Sequence, residues 1–470
     1  MICLVTSELQ IFHTNDLHSH LNEWPKIISL LKERRQFYEQ QGQEVLIFDI
    51  GDHADRVHSI TEATLGKANV RLMNEVGYDS TTIGNNEGIT LSKEALTDLY
   101  VDANFPVLVA NLFHQNGERP HWLKPYEIIT MRTGLKIGVI GMTIPYRAFY
   151  EALGWHIEDP FKLLPQLVKE VRKQADIVIF LSHLGLNFDE EVANNVEGID
   201  VVLGGHTHNV LEEGLYINKT MIHQAGKFGR YVGQVSLTVN GENNQIVDRR
   251  AACLLVDQYE PCEKTEKTIS TLMLDQKRIL AEQVVSLNKP LEVSWQKPSS
   301  FPSLLASALK DWCQAEIGMV NSGVILDQLP EGPVTKADLH RVCPHPINPC
   351  KVKISGKVLK ETIQHALSEE MIYKKIRGFG FRGKVMGIMV FDGVTYEAKI
   401  LIDGLTHIHH IKINGESINP ERLYEVATID MFTFGHLFPS IAVAKSKEYY
   451  LPELLRDLLA WKLKELNEEL

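Results

Sequence analysis

Short apolar runs rich in β-branched residues recur along roughly the first 240 residues, and several are followed by stretches with apolar positions three and four apart. The runs are LQIFHT, EVLIFDIGD, STTIGN, FPVLVANL, LKIGVIGMT, DIVIFLSH, IDVVLGGHTH, KTMIHQAG and YVGQVSLTV. Between them, PKIISLLKERRQFYEQQ and PFKLLPQLVKEVRKQ have the spacing of amphipathic helices. Buried strands alternating with such helices predict an α/β layered domain. Residues 262–288 then read as one long helix, with Ile269, Leu272, Leu280 and Val284 among its apolar positions. After Pro290 a second α/β region begins, punctuated by NSG, PEGP, ISGK and FDGV, and closes on the amphipathic helix ELLRDLLAWKLKELNEEL. The pattern predicts two domains joined by a helical connector, and 470 residues exceed what one hydrophobic core usually supports.

Composition narrows the partners. The 48 Lys+Arg against 60 Asp+Glu leave a formal charge of −12, which argues against a nucleic-acid polymer as partner, since that needs clustered positive charge. An anionic substrate would then need local positive charge, and a bound metal supplies it. No stretch approaches the apolar length of a membrane span, and the start MICLVTSELQIFHTND lacks the basic region of a signal peptide. Six scattered cysteines (Cys3, Cys253, Cys262, Cys313, Cys343, Cys350) include no CxxC. Cys343 and Cys350 could meet across PHPINP, but reduced, mostly buried thiols and a cytoplasmic location are the expectation.

The residues just beyond the strands carry the chemistry. LQIFHT leads to Asp16 and His18, VLIFDI to Asp52, STTI to Asn85, IVIFLS to His183, and DVVL to His206 and His208. In an open α/β sheet the carboxyl ends of the strands share the edge where ligands bind. Singly, each is an ordinary turn residue; together they make a metal site. Four imidazoles, two carboxylates and an amide oxygen exceed one four-coordinate ion and suit two divalent ions sharing a carboxylate, with Asp52 the natural bridge. Such a pair is the clamp of phosphoester hydrolysis. Gly51, Gly84, Gly204 and Gly205 beside these ligands allow close backbone approach.

The ordered elements HTNDLHSHL, IGD, GNNE, SHLG and GGHTH resemble the calcineurin-like metallophosphoesterases, specifically their 5′-nucleotidase branch. ANL, KIGVIGMT and IHQAGKFGRYVGQV continue the likeness, and VNSGVI, PVTKADL, KVKISG and YEVATID are similar to the family's nucleotide-binding second domain. The resemblance implies a four-layer αββα metallophosphoesterase domain over 1–250, a helical connector over 251–292 and an α/β 5′-nucleotidase-type substrate domain over 293–470. It implies one ion on Asp16, His18, Asp52 and His208 and another on Asp52, Asn85, His183 and His206, with Mn²⁺, Zn²⁺, Fe or Co²⁺ as suitable metals. His13 and His20 also fit family positions, as structural or supporting residues.

The chain departs from the family at several points. Where the family reads G-N-H-E followed by an Asp, Asn86 and Ile89 stand here. Asn86 takes the place of the catalytic His; an amide donates a hydrogen bond to a phosphoryl oxygen but neither carries charge nor delivers a proton. Losing one such group typically costs on the order of 10²–10⁴-fold in rate. His53 and His58 are possible substitutes, with exposed surface positions the expectation for both. In the second domain Leu326 replaces a substrate-contacting Arg, His345 replaces a Phe, and MFTFGHLF stands where G-G-D-G would close the motif. Phe381 and Phe432 are the nearest counterparts of the two base-stacking aromatics, with Phe379 and Phe434 competing, and Arg377 and Arg382 flank the first pair. The leading expectation is a dinuclear-metal phosphohydrolase of 5′-nucleotides or related small phosphoesters. The alternatives are a catalytically weakened metal- and nucleotide-binding protein, and a phosphodiesterase acting on cyclic nucleotides.

Overall fold

A computed structural model describes residues 6–400, 406–435 and 437–468; Cys3 lies outside the described residues. The chain divides into two compact units, Met1–Gln276 and Lys277–Leu470.

In the first unit, one sheet has the order Ile246–Leu255, Tyr231–Asn240, Thr6–Thr14, Glu44–Asp49, Ser80–Thr81, Val107–Leu108 and Leu123–Lys124. From Thr6–Thr14 through Leu123–Lys124 its strands run parallel. The other has the order Leu215–Ile217, Thr220–His223, Val201–Gly204, Ile177–His183, Lys136–Thr143 and Tyr126–Thr130, parallel except at its edge strands. Successive strand residues point to opposite faces, so an unbroken run such as IVIFL serves two cores. Ile179 and Leu181 join Ile11, Leu46 and Phe48 of the facing sheet, whereas Val178 and Phe180 pack outward with Leu164, Val168 and Val192. Those last three lie on helices Pro160–Arg172 and Leu186–Asn195. Helix Trp24–Gln40 buries Ile27, Ile28, Leu30 and Leu31 and contacts the Glu44–Asp49 strand. This is the expected helix–sheet–sheet–helix layering.

The backbones of the two layers approach closely at Gly141. Ala110 N–H donates to the Gly141 carbonyl at 2.7 Å, and a Cβ at Gly141 would fall 2.0 Å from the Leu108 carbonyl oxygen.

The second unit is built on a mixed sheet in the order Met389–Asp392, Ile317–Asn321, Leu423–Ile429, Pro349–Ser355 and Lys447–Tyr449. Its core takes Leu305 and Leu309 from helix Ser300–Trp312, and Leu455, Leu458, Leu459 and Leu463 from the terminal helix Leu455–Glu468, which is therefore a packed element.

Two expectations need correction. The helix expected over 262–288 runs only over Glu263–Leu280, and Gln283–Leu287 is a strand antiparallel to Gly332–Thr335. Tandem Val284–Val285 favours a strand once a partner is available, and a short apolar run does not betray its state by periodicity. The first unit also continues past residue 250, because Ile246–Leu255 pairs with Tyr231–Asn240 up to Leu255 opposite Tyr231. Cys343 and Cys350, like the other described cysteines, are free. Among the described residues no helix is long and apolar enough to cross a membrane.

Gly141→Ala forces the two sheets apart at their contact and is expected to destabilise the protein by roughly 1–3 kcal/mol. Urea unfolding would show a lower midpoint at unchanged slope; an unmoved midpoint would mean that the layers yield without cost.

Candidate metal centre

Each expected ligand stands at the carboxyl end of a strand, His183 closing its own and the others within a few residues of theirs. The facing sheets bring these ends together. Asp16, His18 and His208 form one group of convergent ligand atoms and Asp16, Asp52 and His183 a second, each within 4.8 Å. His18 Nε2 and His208 Nε2 approach to 3.1 Å, at 3.9 and 3.5 Å from Asp16 Oδ1 respectively. Asp52 Oδ2 lies 3.5 Å from His183 Nε2 and 3.7 Å from His18 Nε2, between one imidazole of each group. Asn85 Oδ1 meets His206 Nδ1 at 2.8 Å, and the His206 and His183 rings stand 5.4 Å apart. All seven residues therefore share one site, with Asp16 as well as Asp52 spanning both groups.

The residues fit a divalent cation on their own evidence. His183 Nδ1–H donates to the Ile50 carbonyl at 2.7 Å, which turns Nε2 inward, buried and without a hydrogen-bond partner. Asp16, His18, Asp52, His206 and His208 all have positive φ, between 47° and 72°. Left-handed backbone is rare outside glycine, costs about 1–3 kcal/mol per residue and clusters at functional sites.

Close glycines seat Asp52. A Cβ at Gly51, itself at φ +88°, would fall 2.3 Å from Gly84 N, and one at Gly84 2.0 Å from Asp52 Oδ1. With no side chains there, Asn86 N–H donates to Asp52 Oδ1 at 2.8 Å and Asn86 Nδ2 to Asp52 Oδ2 at 2.7 Å. Glu87 accepts from the backbone N–H groups of Asp52, Gly84 and Ala54. One N–H of the Asn86 amide is thus bound to Asp52.

Charges in the site are strongly coupled. Burial pushes the Asp52 carboxyl upward, but the His183 and His18 charges and the Asn86 N–H outweigh it and hold it well below the ordinary range. Burial also penalises a charged His183, yet neighbouring Asp52 and Asp16 raise it to about 10. His206 goes the other way, lowered by burial and by His183 to about 4.

Several supporting groups escaped the sequence reading. Asn15 Nδ2 donates to Asp16 Oδ2 at 2.8 Å, and Asp55 Oδ2 lies 3.2 Å from His18 Nδ1. The Tyr146 hydroxyl lies 3.0 Å from His206 Nε2. Tyr146 follows the Lys136–Thr143 strand, so the strand-end rule extended to KIGVIGMT would have found it. The histidines set aside as substitutes also resolve. His53 is buried, not exposed, edge-on to Trp24 and near Asn69; half-buried His58 caps helix Ser59–Thr64. His13 is buried against His223 at 2.7 Å, and exposed His20 stacks on Phe228 with ring centres 3.8 Å apart.

In the second unit the four candidate aromatics divide by burial. Phe432 is wholly buried against Phe438, and Phe381 is buried with its ring 5.3 Å from His345 at 4°. The core takes up both rings. Phe379 and Phe434 are instead 38% and 39% exposed and lie nearly parallel, 5.7 Å apart at 19°. Phe379 tips a tight turn closed by Phe381 N–H to the Gly378 carbonyl at 3.0 Å, with exposed Arg377 and Arg382 on either side. Leu326, in place of the Arg, is half-buried and bonded through its backbone to Val342.

Comparison with known proteins agrees with the geometry. Residues 9–210 match the calcineurin-like phosphoesterase model and residues 281–438 the 5′-nucleotidase C-terminal domain model. The chain is 48% identical to the uncharacterized metallophosphoesterase YunD of Bacillus subtilis (strain 168), over 97% of this chain and 99% of that one. Its fold is similar to the NAD nucleotidase of Haemophilus influenzae (TM-score 0.69, 18% identity) and to a 5′-nucleotidase precursor of Thermus thermophilus (TM-score 0.59, 18% identity). Each comparison covers 98% of this chain and 97% of the other.

The buried His345 generates a pH prediction. Its Nε2–H donates to the Val324 carbonyl at 2.8 Å and its Nδ1 accepts from Arg382 N–H at 2.9 Å, which fixes the neutral ring. Burial lowers it from 6.5 to about 3, so between those values the unfolded chain binds a proton that the folded chain refuses. Stability attributable to this residue is intact above pH 6.5 and falls as pH drops toward 3, by at most about 1.4 kcal/mol per pH unit. His345→Phe is expected to flatten the pH dependence of thermal unfolding across that window, and identical slopes would contradict the assignment.

Proposed function

The chain belongs to the calcineurin-like phosphoesterases of the 5′-nucleotidase type, and from that premise we propose that it is a dinuclear-metal hydrolase of 5′-nucleotides or closely related small phosphoesters. Membership of the family makes it a metal-dependent phosphoester hydrolase. The observation that carries the dinuclear reading is the pair of overlapping ligand groups, with Asn85 and His206 adjoining His183 and Asp52 facing an imidazole of each. Imidazole, carboxylate and amide donors suit Mn²⁺, Zn²⁺, Fe or Co²⁺. Ions bound there would polarise phosphoryl oxygens and lower the pKa of an attacking water.

The chain's own groups hold this arrangement in place. Asn86 and Glu87 lock Asp52, the backbone N–H of His206 reaches both Asp16 oxygens at 3.1 Å, and the Ile50 carbonyl sets the His183 tautomer. In the second unit, the parallel Phe379–Phe434 pair beside Arg377 and Arg382 is the assigned platform for a nucleobase, in place of Phe381 and Phe432. Base stacking on such rings contributes about 1–3 kcal/mol.

The test is turnover by Mn²⁺- or Zn²⁺-loaded protein over 5′-nucleotides, cyclic nucleotides and aryl phosphates. Asp52→Asn is expected to abolish it, and undiminished turnover in that variant would refute the site. Phe434→Ala is expected to raise KM for nucleotides by roughly 5- to 150-fold while leaving aryl phosphates unchanged; equal effects on both would remove the platform. Wild-type protein that binds metal and nucleotide without turnover would identify a binding protein built on the same site.

A further inference from the structure

A strand end that carries none of the expected ligands opens on the same edge. Thr143, the last residue of strand Lys136–Thr143, lies directly beside His183 in the parallel register, and Tyr146 follows three residues later. Tyr146 N–H donates to the Ile144 carbonyl at 3.0 Å, and the Tyr146 carbonyl accepts from Tyr150 N–H at 3.1 Å to open the short helix Arg147–Ala152. Tyr150 is wholly buried and seats that helix against the one that begins at Asn85. A Cβ at Gly88 would fall 2.1 Å from Tyr150 Oη, so the last glycine of IGNNEG is needed where it stands. Tyr146 is therefore fixed from two sides, by the strand beside His183 and by the helix Asn85–Thr90.

The Tyr146 hydroxyl lies 3.0 Å from His206 Nε2, with ring centres 5.8 Å apart. His206 turns its other nitrogen, Nδ1, to Asn85 Oδ1 at 2.8 Å. With Nδ1 on the ligand side, the ring proton belongs on Nε2, and Tyr146 Oη accepts it. The hydroxyl then keeps its own hydrogen, and among the described residues it makes no other hydrogen bond. Tyr146 is half-buried, which leaves that hydrogen open to a bound molecule. Neighbouring donors are engaged within the chain. Asn15 Nδ2 donates to Asp16 Oδ2 and the Gly226 carbonyl, the His206 backbone N–H to Asp16, and one N–H of Asn86 to Asp52. A phenol is uncharged and holds its proton at neutral pH. It therefore suits a hydrogen bond to an anionic oxygen better than proton delivery to a leaving group.

Resting on the hydrolase reading above, we infer that the Tyr146 hydroxyl donates a hydrogen bond to a non-leaving phosphoryl oxygen of the substrate. It is a neutral donor on the His206 side of a site in which Asn86 stands where the family has His. Such a bond strengthens as charge builds on the oxygen in the transition state, and it acts on the phosphoryl group that every substrate ester shares.

Tyr146→Phe removes the hydroxyl and keeps the ring. Three measurements compare it with wild type: turnover of p-nitrophenyl phosphate and a nucleoside 5′-monophosphate by Mn²⁺-loaded protein, calorimetric binding of inorganic phosphate at saturating Mn²⁺, and Mn²⁺ titration of metal-stripped protein. The variant is expected to lose roughly 10- to 100-fold in kcat/KM, equally for both esters. It should also bind phosphate more weakly, while its Mn²⁺ isotherm overlays that of wild type. Undiminished kcat/KM together with undiminished phosphate binding overturns the inference. A loss confined to the nucleotide overturns it too, by moving Tyr146 to the nucleoside. A weakened Mn²⁺ isotherm with phosphate binding intact would mean that the hydroxyl serves His206 alone, and likewise overturns it. Wild type that turns over neither ester refutes the hydrolase reading, and phosphate binding to the Mn²⁺-loaded proteins then decides the role of Tyr146 by itself.

Discussion

The Asp52 carboxylate is held from one side by the backbone and side chain of Asn86, while Glu87 holds its N–H. This grip exists because Gly51 and Gly84 let the two loops touch where any Cβ would collide. On its other side Asp52 faces His183 from the second sheet. The two halves of the site are thus joined across the gap between sheets, and that gap is set by core packing. Leu181, two residues before His183, and Phe48, four before Asp52, belong to the same interlayer core. Stability of the layers and registration of the ligands are consequently one property.

That coupling explains why the site tolerates so much strain. Five residues of the site, Asp16, His18, Asp52, His206 and His208, hold a left-handed backbone, at about 1–3 kcal/mol each. Such conformations persist only where their surroundings over-determine them. Here the loops are bonded to one another: Asp16 N–H to the Gly51 carbonyl, His18 N–H to the Asp52 carbonyl and Phe228 N–H to the Asp16 carbonyl. The site's polar groups are therefore held in place by the chain's own hydrogen bonds, with His183 Nε2 buried and without a hydrogen-bond partner.

The convergence of these seven residues was legible in the sequence because its signals are local. A strand ends, a glycine follows, and the next polar residue stands on the shared edge; Asp52, Asn85 and His206 need nothing more. What was not legible depends on direction instead of position. The Asn86 side chain bonds to Asp52, which lies 34 residues away in the chain, a contact that no local signal announces. Asp55, which the strand-end rule does not reach, is brought to His18 by its turn. Val284 and Val285 continued a helical pattern until a strand from 332–335 offered hydrogen bonds. The burial of the aromatics was not legible for a related reason: in GFGF and MFTF the sequence does not say which ring the core takes.

The core takes Phe381 and Phe432, and the exchange of a family Phe for His345 gives a physical reason for the first. With both ring nitrogens bound to backbone, His345 is a rigid slab, and Phe381 lies flat against it. The chain must then reverse at 378–381, and a Cβ at Gly380 would meet the Pro346 carbonyl at 2.6 Å, so the turn is seated directly on the segment that carries His345. A turn seated in this way, with one Phe pinned beneath it, exposes the other at its tip. Phe379 accordingly adopts φ +53° and reaches Phe434. The exposure of Phe379 is thus tied to the residue that stands in place of a family Phe: His345 withdraws into the scaffold and, through Phe381, leaves Phe379 at the tip of the turn.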